Sequence, residues 1–224
     1  NQNGPEAYGF RGNARNYDLN RDFVKMDTKN MKSFAEIYHD INPDVYIETH
    51  VSNGADYQYT LTHLITQHNK LGHELGDYTH SKFRPQLEQL LNQKDLLITP
   101  YVNVHGRTPF AGFSQFFDSP RYSTGYTALW NTLGVMIETH MLKPYKKRVL
   151  FTKAMLISLT ELSSADYQEI KALRQENFDY YQQLKYYPFK YSVDSTDHEL
   201  LNFKGYKAEY VKSEITGKDR LKYH

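Results

Sequence analysis

The tetrapeptide Ile-Glu-Thr-His occurs twice, at residues 47–50 and 137–140, each time closing a short apolar run that reads as a buried strand. Alternate side chains of an extended chain share a face. Glu48 with His50, and Glu138 with His140, therefore each offer a carboxylate and an imidazole to one side, a pairing that serves metal binding or proton transfer. Glu138 follows Val135-Met136-Ile137, where partial burial would raise its pKa toward the range useful in a general base. Its plainer role is a salt-bridged strand terminus, with Arg148 as partner. His50 is a candidate zinc ligand, or else an ordinary hydrogen-bonded strand end. In the loop after it, Gly54 permits a tight turn and Asp56 would orient an imidazole from behind. Were the two strands adjacent, parallel and facing one way, Glu48, His50, Glu138 and His140 could also converge on a single metal.

A second group with chemical capacity is Arg11, Arg15, Asn20 and Arg21, crowded into irregular backbone around Asp18, Asp22 and Phe23. Arginine grips a carboxylate in a planar two-bond fork, and a neighbouring amide adds a donor. The segment fits a pocket for a terminal carboxylate; equally, Asp18 and Asp22 could pair with these arginines to brace the loop.

The elements that must position these groups are legible in outline. Residues 1–20 are loop-like and must be held by something else. Met31, Phe34, Ala35, Ile37 and Tyr38 fall near helical spacing, and Asn42-Pro43 stops that helix before the strand at Val45-Tyr46-Ile47. A long helical region is predicted to carry Leu61, Leu64, Ile65, Leu71 and Leu75 and to continue through Leu87, Leu90 and Leu91, divided at Pro85. Leu96-Leu97-Ile98 reads as a second strand. Residues 104–125 form a loop long enough to act as a lid. A short helix at 126–132, a third strand at 134–137 and helices at 149–162 and 170–184 complete an α/β layered domain. From Tyr186 the composition shifts to short polar and aromatic stretches, and 206–211 would begin a β-rich module.

Composition bounds the function. The 224 residues suffice for a sizeable core, and 27 basic against 26 acidic side chains give a net charge of +1. That balance argues against a broad electrostatic footprint for nucleic acid or anionic membrane. There is no cysteine, which removes disulfides, thiolate metal sites and cysteine nucleophiles together. No apolar stretch approaches the ~20 residues of a membrane span. Most of the twenty tyrosines are expected to pack their rings and wet their hydroxyls. The start at Asn1 without a methionine, and the end soon after a turn at Thr216-Gly217, read as a piece of a longer protein.

Taken in order, Arg11-Gly12-Asn13-Ala14-Arg15-Asn16-Tyr17-Asp18-Leu19-Asn20-Arg21-Asp22-Phe23, then the strand-end His50, then the strand-end Glu138 before the last long helices, resemble the zinc metallocarboxypeptidases of the carboxypeptidase A type. The resemblance covers residues 1 to about 185, and the loop at 52–59 is similar to a bacterial branch of that family. It implies a three-layer α/β domain with a mixed, mostly parallel central sheet flanked by helices, truncated at the amino end. Residues 1–185 would be a partial catalytic domain and 186–224 a carboxy-terminal extension. By position it implies that Asn20 and Arg21 hold the terminal carboxylate of a peptide or protein substrate. Arg11 would polarise the scissile carbonyl, His50 would bind zinc, Glu138 would be the general base, and a lid tyrosine, Tyr122 or Tyr126, would close over the peptide, with Tyr122 favoured. The family binds zinc through a His-x-x-Glu pair as well as the strand-end histidine. None of the ten histidines here has glutamate three residues on, so the chain alone is expected to be inactive and the full-length protein to supply the remaining ligands. Two other functions stay open at this stage: a carboxylate-binding module without catalysis, and a zinc deacylase acting on small N-acyl amino acids. An extracytoplasmic location is implied by the resemblance only.

Overall fold

The computed structural model describes residues 11–52, 56–104, 113–194, 196 and 200–224. In chain order these form a 3-10 turn (Leu19–Arg21), α1 (Lys29–Ile41), β1 (Val45–Val51), β2 (Leu61–Ile65), α2 (His68–Leu71), α3 (His73–Tyr78), a π-type turn (Thr79–Phe83) and α4 (Arg84–Asn92). There follow β3 (Ile98–Pro100), β4 (Val102–Val104), β5 (Phe113–Gln115), α5 (Ser123–Ala128), β6 (Leu133–Thr139), α6 (Tyr145–Ala165), α7 (Tyr167–Gln183), β7 (Ala208–Lys212) and β8 (Asp219–Tyr223). The central sheet has the order β1-β6-β2-β3, with β1–β6 and β2–β3 parallel and β6–β2 antiparallel. It is the mixed, mostly parallel sheet expected, with helices on both faces.

Side-chain alternation divides the sheet into two faces. On one, Leu61, Ile65, Leu133, Val135 and Ile137 meet Leu87 and Leu91 of α4 and Met155, Leu159 and Leu162 of α6, the main core of the molecule. Burying each such side chain contributes about 1.5–3 kcal/mol. On the other, Tyr46 meets an aromatic cluster of Phe23, Phe34, Tyr38 and Tyr126, to which Met31 adds its thioether. Phe23 lies 5.3 Å from the Phe34 ring and 6.0 Å from that of Tyr126, so the irregular arginine-rich segment is anchored by its own last residue.

α1 begins where the sequence allows its first turn to be satisfied. The Thr28 hydroxyl accepts from Met31 N–H, and Asp22 in turn accepts from Asp27 N–H, Thr28 N–H and the Thr28 hydroxyl. Burial works against the Asp22 charge, but these donors outweigh it and lower its pKa. Asp22 is thus a helix brace and not an arginine partner; Asp18 alone takes that role. The helix ends at Asn42, which adopts the left-handed conformation at φ 48° before Pro43.

One prediction from periodicity fails. Residues 61–65 form β2 and not the start of a helix, because this strand lies between β6 and β3 and all five of its side chains are buried. A strand buried on both faces shows no alternation to read. Pro85 sits in the first turn of α4, where its missing N–H costs nothing, and marks the junction with the π-type turn before it. The segment expected as a lid carries a small antiparallel hairpin at its base, β4 with β5, and its last residues belong to α5; residues 105–112 lie outside the described residues.

At the carboxyl end, β7 and β8 pair as an antiparallel hairpin, with Gly217 at φ 66° in its turn. Before it, Phe203 packs against Tyr57, Tyr59 and Phe113, and Lys204 N–H donates to the Tyr59 hydroxyl at 3.0 Å. No described helix is long and apolar enough to cross a membrane.

Arg174 of α7 staples the turn between α1 and β1. Its guanidinium donates to Asn42 O and Oδ1, Asp44 Oδ1 and Trp130 O, and the residue is 5% exposed. Arg174→Ala leaves these acceptors unpaired, and the expected loss is about 2–4 kcal/mol. Urea unfolding should show a lower midpoint with an unchanged slope.

Candidate active site

The pairing of β1 with β6 builds the site. Its register sets His50 beside Glu138, and that of β6 with β2 sets Glu138 beside Thr62, itself opposite Thr99. The four side chains form one rung on one face of the sheet. Each has a buried polar atom with no hydrogen-bond partner among the described residues: His50 Nε2, Glu138 Oε2, Thr62 Oγ1 and Thr99 Oγ1. Buried polar atoms in native proteins are overwhelmingly paired, so this rung has hydrogen-bonding capacity left for water or another polar group.

An open cleft of about 500 Å³ lies at the carboxyl end of β1, lined by Arg11, Asp18, Leu19, Asn20, Thr49, His50, Val51, Thr139 and Thr152. Arg11 Nε is bonded to Asp18 Oδ2 at 2.5 Å on the surface. The Asp18 carboxylate also accepts from Asn20 N–H at 3.0 Å, which fixes the short turn that carries Asn20 and Arg21. Gly12 is required there: a Cβ would come within 2.8 Å of the Asn16 backbone. Asn20 Oδ1 is buried and unpartnered among the described residues. Arg21 donates to Asn20 O at 2.8 Å, and its guanidinium lies over the Tyr122 ring, 4.6 Å from the centroid.

Tyr122 is half-buried and continues an aromatic wall. Its ring stands edge-on to Phe116 at 4.9 Å, and Phe116 in turn to Tyr101 at 6.2 Å. Burial pushes the Tyr101 hydroxyl up to about 12, and the nearby Glu138 charge pushes it the same way. Tyr126, by contrast, is not a lid residue. It lies inside α5, is 2% exposed among the rings of the aromatic cluster, and its hydroxyl is 2.9 Å from His39 Nε2. Of the two candidate tyrosines, Tyr122 is the one beside an arginine.

Electrostatics separates the two acidic groups. Burial raises the Glu138 pKa to about 7; the His50 imidazole and Arg11 work against this rise, while the Glu48 charge adds to it. Burial pulls His50 down, but Glu48, whose Oε1 lies 3.1 Å from His50 Nε2, and Glu138 behind it more than offset that, and the net shift is upward. Glu48 also accepts a short hydrogen bond from the Ser123 hydroxyl at the start of α5. α5 can sit this close to the sheet because residue 134 is glycine: a Cβ would lie 2.7 Å from Thr66 Oγ1 and 2.9 Å from Thr127 Oγ1.

The second tetrapeptide ends differently. His140 is fully buried, with Nε2 3.3 Å from Tyr57 N and Nδ1 3.1 Å from Leu142 N. Asp56 faces His140 Nε2 and Lys143 at 3.5 Å, and so backs His140 and not His50 as expected; Gly54 lies outside the described residues. Among the described residues no three His, Asp or Glu side chains are grouped to hold a metal ion, and His140 is turned to backbone instead of converging with His50. The chain matches no protein-family model, no curated protein and no solved structure.

Of the expected residues, Arg11, Asn20 and His50 line one cleft, Glu138 neighbours His50 on the adjoining strand, and Arg21, next to Asn20 in the chain, lies over Tyr122. Pattern reading missed Tyr101 and Phe116, which carried no spacing signal, and gave Ser123 no role. Glu48 was visible through its i+2 spacing to His50.

The raised Glu138 pKa has a stability consequence. The unfolded carboxyl titrates near 4.5 and the folded one near 7, so the folded state holds the extra proton and loses stability as pH rises through this window. Glu138→Gln removes that penalty. Relative to the parent chain, the variant should gain about 2–3 kcal/mol more at pH 8 than at pH 5. Urea titrations at the two pH values measure this, and an equal effect at both would place the Glu138 pKa near its ordinary value.

Proposed function

We propose that this chain carries most of the catalytic domain of a zinc metallocarboxypeptidase, which hydrolyses carboxyl-terminal residues from peptides. The observation that carries the assignment is the meeting of Arg11, Asn20 and His50 at one cleft with Glu138 next to His50 on the adjoining strand. These come from three distant segments, and packed side chains alone give no reason for a guanidinium, an amide, an imidazole and a buried carboxylate to collect there.

His50 fits the part of a metal ligand, having an imidazole at the cleft whose Nε2 makes no hydrogen bond among the described residues, although Glu48 Oε1 lies 3.1 Å from it. Further ligands would come from outside the described residues. When bound, zinc would supply Lewis acidity that activates water and polarises a carbonyl. The remaining work falls to this chain's own groups. Glu138, with a pKa of about 7 and a free Oε2, takes a proton from the attacking water and delivers it to the departing amine nitrogen. Arg11 turns its guanidinium from Asp18 to the developing oxyanion, a role typically worth about 3–4 kcal/mol of barrier. Asn20 and Arg21 take the terminal carboxylate, and Tyr122, already against Arg21, covers the bound residue.

The test is hydrolysis by the full-length natural protein that contains this sequence, supplied with zinc. A peptide with a free carboxyl terminus should lose its last residue, and the same peptide amidated should not. Glu138→Gln should lower kcat by about 10²–10⁴, and Arg21→Ala should raise KM for the free peptide at least tenfold. Equal cleavage of the amidated peptide would sink the assignment. Tight binding without turnover would point to a carboxylate-recognition module, and preferential hydrolysis of an N-acyl amino acid to a deacylase.

A further inference from the structure

Among the described residues β4 and β5 pair only with each other, three residues a side, and a lone hairpin of that size is not stable without packing. Its two faces meet different partners. By alternation Val102 and Phe113 share one face, where they pack with Tyr57, Tyr59 and Phe203. Tyr101 precedes β4 and Phe116 follows β5, so both fall on the other face, where their rings continue to Tyr122 and Arg21. Tyr101 is also tied to β2, its N–H donating to His63 O at 2.8 Å, whereas the described backbone bonds of β5 go to β4 alone.

Phe203 reaches this hairpin from the carboxy-terminal extension. Its ring lies 4.5 Å from Phe113, 5.2 Å from Tyr59 and 6.0 Å from Tyr57. The chain on either side of it is bonded to the same loop. The Tyr59 hydroxyl accepts from Lys204 N–H at 3.0 Å and donates to Asn202 O at 3.4 Å, and the Gln58 amide donates to Gly205 O. The Tyr206 hydroxyl donates to Tyr57 O at 3.2 Å and accepts from Lys143 Nζ at 2.9 Å. The docking is selective, because Phe203 is half-buried while Phe189 and Leu200 of the same extension are 89% and 94% exposed.

We propose that residues 202–206 form a clasp in which Phe203 is a positioning residue: its packing on Phe113 holds β5 against β4 and so keeps Phe116 in line with Tyr122 beside Arg21. The inference rests on the peptidase reading for what those rings cover, but not for the clasp itself. Removing the Phe203 ring opens to water the face on which the hairpin packs. Phe203 lies on the far side of the hairpin from Arg21, so its loss acts on substrate binding and not on the chemical step at Glu138.

The clasp is read without substrate, by amide hydrogen exchange of the chain followed peptide by peptide. Phe203→Ala should speed exchange in β4 and β5 about tenfold or more and leave β1 and β6 unchanged. Phe203→Tyr, which keeps the ring, should restore the parent rate, and Phe189→Ala, which removes an exposed ring from the same extension, should change nothing. If Phe203→Ala does not fold, Tyr206→Phe decides, since it removes the bonds to Tyr57 O and Lys143 but no ring; it should speed exchange in the hairpin alone. Unchanged exchange in β4 and β5, or an equal rise across the central sheet, overturns the inference. In the full-length protein, Phe203→Ala should raise KM for a peptide with a free carboxyl terminus about three- to tenfold and keep kcat within about twofold, with Phe203→Tyr restoring KM. A KM that ignores residue 203 in an active enzyme overturns the positioning role. If the unaltered full-length protein hydrolyses no peptide while the hairpin still loosens in Phe203→Ala, the peptidase assignment fails and the clasp stands.

Discussion

The site depends on one pairing, that of β1 with β6. The two strands are parallel, with His50 directly beside Glu138. Because side chains alternate, a slip of one residue would turn His50 to the opposite face, into contact with the apolar layer of α4 and α6. The apolar face prevents the slip: Val135 and Ile137 are fully buried against that layer, and Val45 and Ile47 pack beside them. Burial of hydrocarbon on one side of the sheet thus holds a polar arrangement on the other. The same division explains why Glu138 can be kept in a setting that disfavours its charge. The cost of a few kcal/mol is borne by a core whose members each contribute a comparable amount.

The arginine segment has no regular structure, yet it is fixed at both ends by contacts of different kinds. Phe23 and Leu19 enter the aromatic cluster with Met26, and Asp22 binds the first turn of α1. Asp18 then bridges Arg11 to the Asn20 backbone. This division of labour leaves the Asn20 amide and the Arg21 guanidinium near the cleft with part of their donor capacity free. It also sets the chemistry of the neighbourhood, since an exposed pair such as Arg11–Asp18 contributes little to stability and is readily exchanged for a pair with a bound anion. Beside Arg21 the chain uses aromatic rings, from Tyr122 through Phe116 to Tyr101. These give shape and low polarity, and Tyr122 engages Arg21 only through its ring face.

Much of this was legible in the sequence where periodicity and punctuation agree. The 3.6-residue pattern of Met31, Phe34, Ala35 and Tyr38, closed by Asn42-Pro43, is α1, and the apolar runs before each Glu-Thr-His are β1 and β6. Leu61, Leu64 and Ile65 misled for a physical reason. A strand buried on both faces exposes nothing to mark its period, and leucine is as much at home in a helix. At the site, His50 and Glu138 could be placed at strand ends, but which face each takes depends on a pairing that no local pattern encodes. Asp22 and Asp18 look alike in sequence and differ only because one lies beside the Thr28 N–H and the other beside Arg11. Tyr122 and Tyr126 differ in the same way: one turn of helix carries the second ring into the core.

The duplicated tetrapeptide makes the same point about register. Had the two copies lain rung against rung, His50 would have met His140 and Glu48 would have met Glu138, a set able to hold a metal by itself. The strands are offset by two residues instead, so the first histidine meets the second glutamate. The offset gives each copy a different environment. Glu48 drops below the rung to reach Ser123, and His140 passes beyond the sheet, where the Tyr57 and Leu142 backbone amides face its ring. What remains around His50 is one imidazole, a carboxylate of raised pKa beside it on β6 and a second carboxylate 3.1 Å from its Nε2. That set is suited to holding and moving a proton.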